Sequence, residues 1–366
     1  MLFYLTDSLL VDKKASEYLE IATAISNLSI AVYESKHSIN GDFSIIEFMS
    51  KNVDIDIRAR NILNNVAQQF AFYSIPQHIT FYIEVVRETT DQPLREEESK
   101  QIAQVCYKEF LDTKSTQESC LIGEYYYDCT FFHVILNWYK TKMGITLSTL
   151  FEDIDGSGDD TYKKVKQFVG RNKRPTLCIV DSDKKYPNQI IAEDSTCGKC
   201  MKLYPHNYIY RFIALNVHEV ENLVPLSVID GLSWAGDAKF HKESFDYLRN
   251  SHENLEILPF FDIKMGIKYY KSLFENPDYL VYVEKCCMCH PQIPKGDQFI
   301  KFIDSLSEKD VVYPSLLKGL LKNSLEFISK NKITSFDLMD FQEKEWCTIA
   351  QNMLNWGFCR NKENVL

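Results

Sequence analysis

Acidic side chains follow three apolar segments in the middle of this 366-residue chain. The segments, at 120–123, 176–180 and 208–215, have the length and composition of buried strands. An ionised carboxylate is too costly to bury unless it is paired or binds a metal, so these positions are candidates for a cation site. The acidic residues are Glu124 and Asp128 after the first segment, Asp181 and Asp183 after the second, and Glu219 and Glu221 after the third.

Carboxylates that converge from three strand ends would make an oxygen-only site, which suits Mg²⁺ or Mn²⁺. Without a cation, their mutual repulsion would force some of them to protonate. A pair of such ions could activate a water molecule and stabilise the leaving oxygen of a phosphodiester. We assign one metal to Glu124, Asp128 and Asp181 and the other to Asp183 and Glu221, with Glu219 as the alternative to Glu221.

The first two acidic pairs also have a purely structural interpretation. Asp128 could cap the following helix, and the Asp-Ser-Asp stretch could be an acidic turn continued by Lys184 and Lys185. The two lysines could neutralise phosphate charge or could be solvated loop residues. Asp7, which follows a short strand predicted at 3–5, is better explained as a helix cap or turn residue than as a site residue.

A parallel sheet would bring the acidic residues to one place. Strand and helix patterns alternate between 118 and 235, as in proteins with a parallel sheet. Right-handed crossovers would then place the carboxyl ends of the strands at the same edge. The predicted strands are 120–123, 144–151, 176–180 and 208–215, and the predicted helices are 130–139, 161–169 and a short one at 222–232.

The order of these motifs resembles the TOPRIM domain, most closely that of the OLD-family and related bacterial defence nucleases. The resemblance covers residues 118–235 and rests on Glu124 with Asp128, on the Asp-Ser-Asp stretch, and on the Glu-Asn-Leu segment at 221–223. It implies a TOPRIM-like core in which these acidic residues bind divalent metal. The chain departs from the family pattern at one position, because Tyr125 follows the first Glu where the family has Gly, and Gly123 precedes it.

Eleven cysteines in a chain without secretory features favour free thiols and metal ligands over disulfides. Two Cys-x-x-Cys pairs could supply the four tetrahedral ligands of a structural Zn²⁺ that joins the core to the C-terminal region. Unpaired thiols are the alternative, and no thioredoxin-like pattern surrounds either motif to support a redox role. The predicted ligands are Cys197, Cys200, Cys286 and Cys289, with Cys287 and His290 as alternates.

Two further regions flank the predicted core at 116–235. Residues 1–115 predict an α+β region for interaction or substrate positioning, and residues 236–366 predict a mostly helical region. We therefore expect an α/β protein whose TOPRIM-like core has a mainly parallel sheet flanked by helices. In the N-terminal region the predicted strands are 3–5 and the segment between Pro76 and Arg87, and the predicted helices are 14–33, 55–73 and 95–111.

The composition excludes some classes of function. No apolar run is long enough to span a bilayer, and the N-terminus lacks the features of a signal peptide, so we expect a cytoplasmic protein. A formal net charge of −10 is unlike that of proteins that coat nucleic acid. Any nucleic-acid contact must therefore come from local patches, metal ions or a partner.

These observations predict a metal-dependent nuclease. The resemblance implies the effector of a bacterial anti-phage system with an ATPase partner, acting on DNA or RNA, with tRNA as one candidate. A non-catalytic TOPRIM-like scaffold or sensor subunit is the alternative, which Tyr125 favours. A topoisomerase or primase is disfavoured, because neither a tyrosine-bearing cleavage domain nor a primase zinc domain is recognisable. The sequence leaves open whether the chain forms homo-oligomers.

Overall fold

Two mostly parallel β-sheets with helices packed against them form the framework of this protein. The structure, a computed structural model, describes residues 1–52, 54–69, 75–171, 173–203, 207–251 and 254–360. The predicted α/β class with a mainly parallel, helix-flanked sheet is confirmed. The sequence predicted one such sheet, whereas the structure contains a second one in the N-terminal region.

The N-terminal sheet has five strands. They are β1 (Leu2–Leu5), β2 (Ser38–Gly41), β3 (Phe81–Val86), β4 (Leu94–Glu97) and β5 (Lys100–Cys106). In the order β2–β1–β3–β5–β4, every neighbouring pair is parallel except the last, the β4–β5 hairpin. The helices of this region are α1 (Tyr18–Tyr33), α2 (Phe43–Ser50) and α3 (Ile57–Gln68).

The prediction of a helix at 95–111 is wrong. This stretch forms β4, β5 and a short 3-10 helix at Tyr107–Phe110. Glu98 and Ser99 make the hairpin turn with φ angles of 46° and 70°, a conformation that suits a tight connection between antiparallel strands. Pairing of β5 with β3 and β4 overrides the helical spacing of its apolar residues.

Two other differences concern the N-terminal region. Sequence reasoning missed β2 and α2, so a region predicted as α+β contains the parallel pairs β1–β2, β1–β3 and β3–β5. The predicted helix 55–73 matches α3, but its last four residues lie outside the described ranges.

The second sheet contains the strands after which the predicted acidic residues lie. Its region contains β6 (Cys120–Gly123), β7 (Ser148–Thr149), β8 (Glu152–Asp155), β9 (Thr176–Val180) and β10 (Tyr210–Ala214). All but β7 belong to one sheet in the order β10–β9–β6–β8, and every neighbouring pair is parallel. The helices of this region are α4 (Tyr126–Met143), α5 (Thr161–Val165) with a π-helical continuation at Lys166–Arg171, and α6 (Thr196–Met201).

The predicted strand 144–151 does not enter the sheet. Gly144 ends α4 in the left-handed conformation, with φ 64°, and β7 pairs instead with a short C-terminal strand. The sheet strand is β8, whose sequence Glu-Asp-Ile-Asp is mostly acidic. An edge strand can expose charged residues to solvent, and this polarity concealed the strand in the sequence.

The remaining residues are mostly helical, as predicted. The helices are α7 (Leu226–Gly231), α8 (Asp237–Arg249), α9 (Asn254–Ile257), α10 (Lys271–Phe274), α11 (Pro277–Met288), α12 (Asp297–Asp304), α13 (Leu320–Asn331) and α14 (Asp340–Gly357). The strands are β11 (Ile267–Lys268) and β12 (Val311–Tyr313), which pair with each other, and β13 (Phe358–Cys359), which pairs with β7.

Two hydrophobic clusters fix the second sheet between helices. The larger one joins all three regions of the chain and includes Phe3, Phe131 and Trp346. The smaller one contains Ile122 and Val180 from the sheet, together with buried residues of α5 and α6. Because helices pack on both faces, the carboxyl edge of the sheet is held rigidly at the boundary between core and solvent.

Candidate metal centre

The three predicted strand ends meet at the carboxyl edge of the second sheet. Strand β9 lies between β6 and β10, so the residues after these strands are neighbours. The backbone NH of Asp181 donates to Glu124 Oε1 at 3.2 Å, and the backbone NH of Val220 donates to Asp181 Oδ1 at 2.9 Å. Each strand end is therefore linked to the next by a carboxylate that accepts a backbone hydrogen bond.

Asp128 is buried in the first turn of α4, where its carboxylate accepts a hydrogen bond from the Tyr125 backbone NH at 2.8 Å. The turn is tight, because a Cβ on Gly123 would lie 2.9 Å from the Asp128 Cβ. Tyr125 itself has an extended backbone with φ −133° and ψ 162°, which any residue adopts. The turn thus requires glycine at position 123, before Glu124, and not at position 125.

The Asp-Ser-Asp loop is tied to the loop that follows β10. The Ser182 hydroxyl donates to the Val217 carbonyl at 2.5 Å, and the Asp183 backbone NH donates to the His218 carbonyl at 3.0 Å. Asp181 is buried, whereas Asp183 is exposed and has the left-handed φ of 56°. The loop therefore directs one carboxylate into the cluster and leaves the other at its solvent side.

A lysine that the sequence did not single out lies among the carboxylates after β10. Lys264 Nζ is 3.1 Å from Glu219 Oε2 and 3.0 Å from Glu221 Oε2, and both glutamates are buried. Glu219 also accepts hydrogen bonds from the backbone NH groups of Ile263 and Lys264 at 3.0 and 3.2 Å. The loop that carries Lys264 is therefore part of the site.

Burial and crowding raise the pKa values of these acids. Burial, followed by the charges of Asp183 and Asp128, raises the pKa of Glu124 to about 8. Burial raises the pKa of Asp128 to about 7, and burial with the charge of Glu221 raises that of Glu219 to about 7. The pKa of Asp181 is raised well above its usual range by burial and by Glu124. Burial is the largest cause at each of these acids, so their ionised forms are less stable than in water, and the charge of Lys264 offsets only part of this.

The predicted carboxylates share one edge, but they do not surround a single point. Among the described residues, the one group of three His, Cys, Asp or Glu side chains whose ligand atoms all lie within 4.8 Å of one another is His218, Glu219 and Asp262. No three of the six predicted carboxylates converge as closely. An ion bound by three of them would require side-chain movements that bring their oxygens closer together, and an ion at Glu219 or Glu221 would also have to displace Lys264.

His218 and Asp262 extend the site beyond the predicted residues. His218 Nε2 is 3.5 Å from Asp262 Oδ2, and His218 Nδ1 is within hydrogen-bond distance of the Lys184 carbonyl at 3.0 Å. Burial alone would lower the pKa of His218, yet the hydrogen bond to Asp262 and the charge of Glu219 raise it above its usual value. His218 is thereby favoured in its protonated, hydrogen-bonding form beside the acidic cluster.

Asn222 holds the loop that carries Asp262 and Lys264 next to the residues that follow β10. Its Oδ1 accepts a hydrogen bond from the Glu219 backbone NH at 2.9 Å, and its Nδ2 donates to the carbonyls of Leu258 and Phe261 at 2.8 Å each. The amide thus anchors the chain just before Asp262 and Lys264. The Glu-Asn-Leu motif was the only sequence signal connected with this loop, and it did not identify the loop's residues.

The four predicted zinc ligands are not brought together. Cys197 and Cys200 are buried in the smaller hydrophobic cluster, whereas Cys286 is buried in the larger one, and Cys289 is only partly buried. No three of the four sulfurs lie within 4.8 Å of one another. The alternates do not change this result, since Cys287 and His290 also form no such group. The donors therefore do not fit a zinc ion in this arrangement.

Comparison with protein-family models, with curated proteins and with solved structures finds no significant match to this chain. A search of the described helices finds none with the length and apolar character needed to cross a membrane.

Proposed function

We propose that this protein is a divalent-metal-dependent nuclease with a TOPRIM-like core. The observation that carries the proposal is the hydrogen-bonded chain from Glu124 to Asp181 to Val220, which joins three strand ends into one acidic cluster. In parallel sheets this edge is the usual place for a ligand site. Raised pKa values such as those of Glu124, Asp128 and Asp181 are typical of carboxylates in functional sites.

The donors in the cluster fit Mg²⁺ or Mn²⁺, because they are carboxylate oxygens and cannot all ionise without a nearby positive charge. Glu124, Asp128 and Asp181 would hold one ion, and Asp183 with Glu221 or Glu219 would hold a second. Bound there, such ions supply Lewis acidity and an activated water for phosphodiester hydrolysis. Lys264, once released from the glutamates, would be placed to neutralise a phosphate oxygen.

Exposed aromatic residues support a nucleic-acid substrate. Tyr125, Tyr126 and Tyr127 directly follow Glu124 and are 53%, 59% and 40% exposed. Large aromatic side chains are usually buried, and exposed ones beside a site can stack on bases without regard to sequence. These three tyrosines could therefore hold a strand near the cluster despite the acidic net charge of −10.

The biological setting is proposed from the resemblance to OLD-family defence nucleases. On that basis we propose that this chain is the effector of an anti-phage system and that an ATPase partner restrains or triggers it. An acidic nuclease would need such help to approach a polyanion. Coexpression with the neighbouring gene product, followed by phage challenge, would test this setting separately from the chemistry.

A cleavage assay on labelled DNA and RNA strands with Mg²⁺ or Mn²⁺ tests the activity. Asp181→Asn and Glu124→Gln should each lower the cleavage rate by about 100-fold or more, because each removes a charge that holds the cation. Asp155→Asn is the matched control: Asp155 ends β8 at the same edge but is exposed and accepts a hydrogen bond from the Ser157 backbone NH, which asparagine can replace. Equal activity of all variants would refute the catalytic assignment.

A second candidate is a non-catalytic scaffold or sensor subunit. The observation that favours it is Lys264, whose ammonium already pairs with Glu219 and Glu221. If this lysine is a permanent counter-ion, the cluster needs no metal. In that case the wild-type protein would neither bind Mn²⁺ nor cleave nucleic acid, with or without its partner.

A further inference from the structure

A small pocket borders the acidic cluster on the side of the loop that carries Lys264. It has a volume of about 100 Å³ and is partly enclosed. Ligand sites for drug-sized molecules are several times larger, so this pocket has room for a single planar ring system. The lining residues that matter here are Lys185, Asp262, Lys268, Tyr270, Tyr279 and Tyr282.

The pocket and the cluster share one turn of the chain. Asp262 lines the pocket, and its carboxylate pairs with His218 next to Glu219. Two residues later, Lys264 reaches into the cluster. The turn is rigid, because Met265 and Gly266 donate backbone hydrogen bonds to Asp262 at 2.7 and 2.8 Å.

This turn requires glycine at position 266. Its φ is +67°, in the left-handed region, and a Cβ there would lie 2.4 Å from the Tyr313 carbonyl oxygen. Because no other residue fits without strain, the distance between pocket and cluster is fixed by the backbone.

The walls of the pocket are aromatic and firmly placed. Tyr279 and Tyr282 are 4% and 5% exposed, and their rings are nearly parallel, at 28°. The Tyr282 hydroxyl donates to the Ile257 carbonyl at 3.0 Å, which holds that ring in position. Tyr270 is only partly buried and lies on the more accessible part of the wall.

Two cations line the same pocket. Among the described residues, no ion pair within 4.0 Å forms at Lys185 or Lys268, and Lys185 only attracts Asp262 at longer range. Ammonium groups beside aromatic rings suit a ligand that has both a planar ring and a negative charge. A nucleotide has both.

We propose that this pocket receives one unpaired base of the substrate strand, with the adjoining phosphate held by Lys185 and Lys268. This inference rests on the proposed nuclease function and specifies its substrate as single-stranded or locally unpaired nucleic acid. A base within a duplex cannot enter a pocket of this size, because it stays paired and stacked. The base would enter beside Asp262, and the strand would continue across the carboxylates.

The test is a binding assay with the full chain in EDTA, so that binding is read without cleavage. A short single strand that contains one 2-aminopurine should bind with quenching of its fluorescence, and the matching blunt duplex should bind at least about 10-fold more weakly. Tyr270→Leu should abolish the quenching and weaken single-strand binding by about 10-fold. Lys185→Gln with Lys268→Gln should weaken binding and reduce its salt dependence.

The control is Tyr247→Leu, which removes a tyrosine that is 43% exposed and does not line the pocket. Wild-type affinity and quenching in Tyr270→Leu, or equal binding of strand and duplex, would overturn the pocket assignment even if metal-dependent cleavage is observed. Binding of adenosine monophosphate as tight as that of the strand would also overturn it, in favour of a free nucleotide ligand. Strand binding with the expected variant effects but no cleavage would instead contradict the nuclease proposal and leave the pocket intact.

Discussion

The carboxyl edges of the two sheets carry similar residues in different environments. In the N-terminal sheet, Asp42 accepts hydrogen bonds from the Tyr4 hydroxyl and the Asp7 backbone NH, at 2.8 Å each, and Asp7 accepts one from the Ser44 hydroxyl. Asp7 is exposed and Asp42 only partly buried. In the second sheet, Asp128, Asp181, Glu219 and Glu221 are buried, and Glu124 is partly buried beside them.

The difference shows what turns a strand-end carboxylate into a candidate site. The carboxylates of Asp7 and Asp42 accept hydrogen bonds from nearby groups and remain in contact with solvent, as turn residues commonly do. Glu124, Asp128 and Asp181 each accept a backbone hydrogen bond as well, but burial and the neighbouring acids raise their pKa values. A carboxylate that follows a strand is therefore weak evidence for a functional site by itself. Its burial beside other acidic side chains is stronger evidence.

Among the variants that test this difference between the two sheet edges, Lys264→Met should have the largest effect. It leaves Glu219 and Glu221 buried without their cation, so the free energy of unfolding in EDTA should fall by about 3–5 kcal/mol. Magnesium should restore most of the loss, because it can replace the ammonium. Denaturant melts with and without Mg²⁺ measure both effects.

Arg95→Met is the matched variant in the N-terminal sheet. Arg95 forms a two-pronged ion pair with the buried Glu84, at 2.6 and 2.8 Å. Its loss should destabilise the protein to a similar degree, but a lone carboxylate does not make a magnesium site, so no rescue is expected. If Mg²⁺ restored the stability of both variants, or of neither, the two sheet edges would not differ in metal binding.

A smaller effect is expected when the stability of the protein is measured as a function of pH. The pKa values of Glu124 and Asp128 are raised to about 8 and about 7 in the folded state, above their unfolded values. The folded protein then binds more protons, so these groups stabilise it fully below about pH 4 and lose that contribution as pH rises to about 8. Magnesium competes with these protons, so the gain in Tm on adding it should grow between pH 5 and 8. A gain that shrinks over this range would contradict the pKa assignment.

The smallest effect concerns zinc. Because the two cysteine pairs lie in separate hydrophobic clusters, a strong chelator should leave the Tm unchanged, and purified protein should contain far less than one zinc per chain. Metal analysis by mass spectrometry checks this. About one zinc per chain, lost together with stability in Cys200→Ser, would restore the four-cysteine site predicted from the sequence.

Sequence-based predictions were correct where the residue pattern of a segment agrees with its position in the fold. Strands β6 and β9 are apolar and buried, β10 is mostly apolar and partly buried, and acidic residues follow all three, so both the strands and the cluster they position could be predicted. Strand β8 could not be recognised, because an edge strand of this sheet is acidic and resembles a loop. The hairpin of β4 and β5 was missed because pairing across the sheet decided its conformation.

Lys264 and Asp262 could not be predicted for a different reason. Asp262 lies 79 residues and Lys264 81 residues after Asp183, and both reach the cluster through a turn whose position depends on hydrogen bonds from Asn222. No periodicity or spacing encodes that connection. A lysine in a loop is usually solvated, so only the three-dimensional arrangement shows that this one is a counter-ion.

Calorimetric titration of the metal-free protein with Mn²⁺ tests the proposed metal centre most directly. We predict saturable binding to wild type that is lost in Asp181→Asn and unchanged in Asp42→Asn, with thermal melts confirming that both variants are folded. Equal binding by all three proteins, or no binding to wild type, would contradict the claim that the second sheet edge, and not the first, is a metal centre.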